Sequence, residues 1–417
     1  MTPASRAPRW RGLIIDTSPL RHDRDFRLLW AGQLVSQTGT HITRVALPYQ
    51  VYVLTGSTLA IAALTLFQLV PILLFSLGAG SLADAVDRRR LLIATQVGEA
   101  MATGALFILA LQPDPPLAGI FAAAFAIAAL SAFDQPARSA AVARLVPPQR
   151  FPAAVALTHL TFNGAAVLGP AVGGVLLALI GLAGVYLIDV LSYAAALVAA
   201  VAIRPMPPLG EFARPGLSAI VEGLRYVTRH RLILSTFVVD MAAMVFARPI
   251  ALYPVLALDV FRTGPAGVGL LAAAPAAGAF VAAFLSGWTT HLRRIGLGVV
   301  VAVAVWGGSM VLFGLSTFSF ALALALLAVA GAADLVSTVL RNTIVQLETP
   351  DGLRGRVTSI HMRVTSAGPR IGDIQAATIA SVIGPQPTIV LGGLLCLAGT
   401  SAVFRLFPEL RRHVRGT

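Results

Sequence analysis

The sequence predicts an all-α polytopic membrane protein with twelve transmembrane helices, on three observations. Apolar residues make up 57% of the 417-residue chain and charged residues 12%, far from the roughly 25% charged that a soluble globule carries. A chain with so little polar surface needs lipid as part of its solvent. Continuous apolar runs of about 20 residues, the length that crosses a bilayer as a helix, recur throughout. Arginines, lastly, gather in alternate interruptions between those runs. The runs are continuous and lack the alternation of strands, which excludes a closed β-barrel.

The expected spans are 26–54, 59–83, 91–111, 117–142, 153–180, 183–203, 231–257, 267–288, 296–316, 320–343, 356–383 and 387–407. With the N-terminus inside, 26 of the 31 arginines fall in cytoplasmic segments, whereas the outside loops hold only Arg262. By the positive-inside rule, both termini are expected in the cytoplasm of a cell (inner) membrane protein. The first 25 residues carry five arginines and no cleavable apolar core, so no signal peptide is expected and the first helix directs insertion. The net charge of +13 would suggest nucleic acid in a soluble protein; here it reads as topology, and no nucleic-acid partner is expected. The single cysteine, Cys396, excludes an intramolecular disulfide.

The outside interruptions are short turns such as Thr55-Gly56-Ser57, with no room for a receptor domain. The longest polar interruption divides the chain into two expected six-helix bundles, 1–203 and 231–417, joined by a linker at 204–230. In that linker Leu217, Ile220, Val221, Leu224 and Val227 share one helical face, opposite Glu222, Arg225 and Arg229. That pattern suits a helix on the membrane surface or one bridging two bundles.

Two motifs have a physical reading. The loop between the second and third spans runs Gly80-Ser-Leu-Ala-Asp84-Ala-Val-Asp87-Arg88-Arg89-Arg90, placing a glycine at a helix end, a carboxylate where the chain leaves the membrane, and then a basic cluster. By itself this is a positive stop signal. The fifth span holds Asn163-Gly164 and Gly169-Pro170-Ala-Val-Gly173-Gly174, where small residues allow close helix packing and proline bends the helix.

In their positions the two motifs resemble those of the major facilitator superfamily. Gly80, Leu82, Ala83, Asp84, Arg88 and Arg89 fit its signature loop, and Asp87 stands where that family usually has glycine. The resemblance implies two six-helix bundles and a cytoplasmic gate in which the aspartate meets a helix N-terminus and the arginines pair with acids in a breakable latch. Gly169, Pro170, Gly173 and Gly174 resemble the GPxxGG run of the family's antiporters, implying export. Phe26-Arg27, Asp134 with Pro136-Ala137-Arg138, and Asp189 are similar to the branch holding macrolide and siderophore exporters. So are Arg248 with Leu252-Tyr253-Pro254, Ser286-Gly287 with His291, and Gln346 with Pro350, Gly355 and Arg356.

Ionisable groups at membrane depth are expensive and face a cavity or a partner. At membrane depth the reading places Arg44, Arg248, Arg363 and Arg370 against Glu99, Asp189, Asp240, Asp334 and Asp373, leaving out Asp134 as near a helix end. Near balance favours ion pairs for most of them. The resemblance places the first, fourth, seventh and tenth helices around a central cavity. Asp240 would lie near the midplane of the seventh, and Arg370 and Asp373 share a face of the eleventh. Arg44, Asp240, Arg248, Asp334, Arg370 and Asp373 are therefore the candidates for substrate binding and proton coupling, with Asp240 or Asp334 carrying the proton.

The expected function is secondary active transport: proton-coupled efflux of a small molecule such as a siderophore, or alternatively of macrolide-type drugs. No clustered nucleophile, metal-ligand set or lysine-bearing phosphate loop occurs, so neither an enzyme nor a cofactor or metal site is expected. The expected partners are a small-molecule substrate, protons and lipid, around a monomer that encloses its own pathway.

Overall fold

The computed structural model describes residues 16–208, 217–285 and 292–413. Among these residues every regular element is helical, as a lipid-exposed backbone must be where no water can satisfy it. Nine described helices are long and apolar enough to cross a membrane.

The first half comprises α1 (Arg24–Thr55), α2 (Thr58–Ala85), α3 (Arg88–Ala110), α4 (Leu117–Leu145) and α5 (Phe151–Ala202). Helix α1 is not among the nine apolar helices because it buries Gln33, His41 and Gln50 and carries Arg44. Helix α5 is 52 residues long and breaks at Gly181, whose φ of 69° and ψ of −175° suit a residue without Cβ. Its two limbs correspond to the spans expected at 153–180 and 183–203.

Helix α6 (Leu217–Arg229) lies within the expected linker, and α7 (Arg231–Phe246) follows it directly. In α6, Val227 is buried and Arg225 and Arg229 are exposed, as the amphipathic pattern requires. Leu224, expected on the apolar face, is instead exposed. The reason is that α6 docks through its last turn, where Val227 joins Ile233, Phe237 and Val345 and Tyr226 Oη donates to the Glu348 carbonyl at 2.9 Å.

The span expected at 231–257 is not one continuous α-helix. It stops at Phe246 and resumes after Pro249 as a 3₁₀ turn (Ile250–Leu252), a single α turn (Tyr253–Val255) and a π segment (Leu256–Val260). Proline has no N–H to continue the ladder and crowds the preceding turn. The chain completes with α8 (Gly264–Leu285), α9 (Ile295–Leu315), α10 (Phe320–Glu348), α11 (Asp351–Ile383) and α12 (Pro385–Leu406). Helix α11 carries His361, Arg370 and Asp373 along its length.

The halves meet where α5 packs on α8 and α2 on α11. The buried apolar residues show how they meet. Toward the face away from the termini, one cluster runs through both halves and joins Val51, Leu106 and Leu177 to Leu252, Leu256 and Leu271. Toward the terminus-bearing face the clusters separate. Phe26, Leu92, Val142 and Leu157 form one within the first half, and Val227, Phe237 and Val357 form another within the second. Among the described residues, the apolar side chains that join the two halves lie toward the far face, and those toward the terminus-bearing face group within one half at a time.

Candidate functional site

In the second half the buried charges are organised by helix periodicity. Asp334, Thr338 and Arg341 stand four and three residues apart on α10, so they share one face. Thr338 Oγ1 donates to Asp334 Oδ1 at 3.3 Å, and Arg341 Nη2 donates to Thr338 Oγ1 at 3.0 Å. Arg341 then forms an ion pair with Asp240 of α7, and both side chains are only 2% exposed. Sequence reasoning grouped Arg341 with the cytoplasmic arginines; the structure corrects that, because α10 continues to Glu348 and turns Arg341 toward α7. The spacing from Asp334 was the available signal.

The break after α7 creates a second polar site. Asp373 of α11 accepts from the backbone N–H of Ala251 at 3.1 Å, and so caps the start of the 3₁₀ turn, where exposed N–H groups favour a carboxylate. Arg248 sits at the break, with Nη1 3.4 Å from Met244 Sδ. Arg370, three residues before Asp373, lies within electrostatic reach of Arg248 and of Arg44 from α1. Arg44 is exposed. Arg248, Arg370 and Asp334 are each partly accessible too. Three guanidinium groups from α1, the α7 break and α11 thus gather between the halves, offset by Asp334 and Asp373. The side chain of Arg363 lies outside the described residues.

The first half has its own polar ladder. Asp189, fully buried, accepts from Thr43 Oγ1 at 2.5 Å and Ser192 Oγ at 3.1 Å. On α3 and α4, Asp134 accepts from Thr95 Oγ1 and Gln96 Nε2, each at 3.1 Å, and pairs with Arg138 one turn on. Glu99 accepts from Ser131 Oγ at 2.8 Å. Sequence reasoning named Asp189 and Glu99 as membrane charges, left out Asp134 as near a helix end although it is buried, and missed the hydroxyl and amide donors, whose types alone carry no signal.

The two motifs lie on opposite faces. At the terminus-bearing face, Asp87 caps α3 by accepting from Arg89 N at 2.8 Å and Arg90 N at 3.3 Å. Its other oxygen accepts from Met206 N at 3.2 Å, so the residue standing in place of the usual glycine ties the loop to the segment after α5. Arg89 donates to the Ala200 and Val201 carbonyls at 3.2 and 2.5 Å, at the C-terminal end of α5, where a cation is favoured. Arg88 is buried, and its backbone N–H donates to Met206 O at 3.2 Å. A Cβ on Gly80 would meet nothing within 4 Å, so no close approach uses that glycine in this state. The Asp84 side chain, and residues Ser286, Gly287 and His291, lie outside the described residues.

The second motif is packed on two sides toward the far face. A Cβ on Gly169 would lie 2.4 Å from His41 Cβ, and one on Gly173 would lie 3.1 Å from Ile42 Cα, both on α1. One on Gly174 would lie 2.6 Å from Gly269 Cα on α8. Pro170 is buried beside them, its carbonyl against Gly269. Nearer the far loops, Tyr52 Oη of α1 donates to the Asp259 carboxylate in the π segment, a hydroxyl–carboxylate contact between the halves. Such a bond contributes about 1.5–3 kcal/mol, and 1.4 kcal/mol is a factor of ten in population. Tyr52→Phe is therefore expected to open the far face about tenfold more often. Spin labels replacing the exposed far-loop residues Asp114 and Arg262 check this: a longer-distance population should grow, and an unchanged distribution would count against the latch.

Comparison with known proteins agrees with this geometry. The family described as transmembrane secretion effector matches residues 15–412. The chain belongs to that family. It is a multi-pass transporter of the major facilitator superfamily. The enterobactin exporters of Shigella flexneri and Citrobacter koseri are each 25% identical over 399 residues, covering 96% of this chain and 95% of theirs. Among solved structures, a POT family transporter in complex with a thioalcohol-conjugated peptide superposes with a TM-score of 0.74 at 14% identity, covering 93% of this chain and 97% of that one. A bacterial homologue of the iron transporter ferroportin, in an inward-facing state, gives 0.71 at 14% identity, covering 94% and 99%. At these identities the structures support the fold alone.

Proposed function

We propose that this transporter exports a small anionic molecule of the siderophore class in exchange for protons, by alternating access between two six-helix bundles with twelve spans in all. The observation that carries the reading is the convergence of Arg44, Arg248 and Arg370, each at least partly accessible, from elements of both halves. Like charges gathered at membrane depth repel one another and cost desolvation, so their grouping is best explained by a multiply charged anion that they share. The kinship with enterobactin exporters fits a catecholate siderophore.

The terminus-bearing face is cytoplasmic in this reading, in keeping with the arginine distribution. The divided core then leaves the arginines reachable from the cytoplasm, the side from which an exporter loads. Asp240 is locked in a buried pair, whereas Asp334 is partly accessible and accepts a hydrogen bond from Thr338. Asp334 is accordingly the acid of the second half assigned to proton exchange, and Asp373 is assigned to holding the α7 break. Rocking of the halves would trade the far-face seal at Gly174–Gly269 for closure around the Gly80–Arg90 loop.

The test is siderophore mass spectrometry on an iron-starved source strain with the gene deleted. Less siderophore outside with accumulation inside, restored by the wild-type gene, is the expected result; unchanged siderophore would overturn the assignment. Arg370→Gln should restore export about tenfold or more less efficiently, because a charge-assisted contact contributes about 1.5–3 kcal/mol. One observation favours a second reading, export of amphipathic drugs: a membrane-facing groove of about 420 Å³ between α1 and α5, lined by Leu34, Val35, Ile42, Ile188 and Leu191. Full activity of Arg248→Gln and Arg370→Gln toward an antibiotic panel would select it.

A further inference from the structure

We propose that Glu99, which lies outside the pathway described above, holds an exchangeable proton and is the proton-carrying group of the first half. This deepens the proton-exchange reading, and it rests on that reading only for the use of the proton in transport.

The argument starts from a charge inventory. At membrane depth the first half contains three acids, Glu99, Asp134 and Asp189, against two cations, Arg44 and Arg138. Arg138 is committed to Asp134 in a direct ion pair. Asp189 takes two hydroxyl donors and lies within electrostatic reach of Arg44. Glu99 is 3% exposed and accepts from one neutral donor, Ser131. One acid is therefore in excess among the described residues; neither Glu99 nor Asp189 has a direct ion pair, and Glu99 has the fewer hydrogen-bond donors, one against two.

The groups facing it sharpen the assignment. Helix α4 presents Asp134 and Arg138, the second limb of α5 presents Asp189 and Tyr193, and α1 presents Arg44. Two of these carry the same charge that an ionised Glu99 would have; of the two nearby cations, Arg138 is paired with Asp134, and Arg44 is shared between Asp189 and Glu99. A carboxylate in that setting is expensive, whereas a carboxylic acid is not. The neutral acid also needs an acceptor for its O–H. Gln96, one turn back on the same helix, has a buried Oε1 with no hydrogen-bond partner. Gln33, Gln96 and Arg138 border a narrow void toward the terminus-bearing face, the side from which the proton exchanges with water. In the exchange the Glu99 O–H bond breaks, the proton passes to water, and the carboxylate is left to be reprotonated.

The test is infrared difference spectroscopy on the purified full-length protein in lipid nanodiscs at neutral pH, which needs no substrate. The wild type is expected to show a carboxylic-acid carbonyl band that shifts in heavy water, and Glu99→Gln to lose one component of it. Ser131→Ala should move that same component to higher frequency by removing its hydrogen bond, which keeps the test decisive if Glu99→Gln folds poorly. Asp334→Asn should leave the component in place. A wild type without the band, or a Glu99→Gln spectrum identical to it, would overturn the proposal. In proteoliposomes with enterobactin as probe, Glu99→Gln is expected to lose at least tenfold in proton-driven transport. A wild type inactive toward enterobactin would overturn the siderophore reading instead, leaving the infrared result to decide Glu99.

Discussion

Arg341→Ala is expected to destabilise the protein by about 3–5 kcal/mol, the range measured when one partner of a buried ion pair is removed. Asp240 and Arg341 are both 2% exposed and in direct contact, so the substitution leaves a carboxylate in a dry site. It also takes the donor from Thr338, which is hydrogen-bonded to Asp334. Two variants separate the pair's worth from the cost of an orphaned charge. Asp240→Asn in the Arg341→Ala background should recover much of the loss. Replacing both residues by well-packed apolar side chains should come out near neutral in stability while abolishing transport if the pair works in the cycle. Thermal unfolding of the purified protein in detergent measures all three. A shift for Arg341→Ala no larger than that of an ordinary surface change, about 0.5 kcal/mol, would show the pair to be structurally idle.

Gly174→Leu should prevent closure of the far face. A Cβ there would lie 2.6 Å from Gly269 Cα, 2.8 Å from Gly269 N and 3.1 Å from Ala266 O. Every one of those atoms is α8 backbone, so no rotamer change relieves the clash and α5 must move away from α8. Overpacking costs about 1–3 kcal/mol where side chains can adjust, and a backbone clash sits at or above the top of that range. The closed population should fall by about a hundredfold or more, at about tenfold per 1.4 kcal/mol. The Asp114–Arg262 spin-label distance reads the opening directly, and transport should fall with it. Gly164→Leu, in the same limb but with nothing within 4 Å of its Cβ, is the matched control and should behave as wild type. Equal behaviour of the two variants would remove the glycine contact from the gating scheme.

Much of the fold was legible because bilayer thickness fixes helix length and leaves apolar runs as direct markers. The break in α5 was legible for a similar reason: the short interruption around Gly181 cannot cross water or lipid except as a turn. The break in α7 was not anticipated, although Ala247-Arg248-Pro249 stands in the sequence. Helices continue straight through prolines 48, 71, 136 and 170, so proline alone does not announce a break. What stabilises this one is Asp373, a residue more than a hundred positions away.

The same division applies to the charged residues. Composition and periodicity determined that this chain lives in a membrane, most of the residues charged at membrane depth, and that a small-residue motif lies within the fifth span. Those properties follow from solvation and helix geometry, both of which act locally along the chain. Only tertiary structure decided that Asp240 belongs to Arg341, that Asp373 caps a turn, that Gly174 meets Gly269, and that Glu99 has one neutral donor and no direct ion pair. Pairing depends on which faces of distant helices are turned together. One sequence pattern allows many such arrangements, and packing selects among them by the cost of a charge or a backbone group left without a partner.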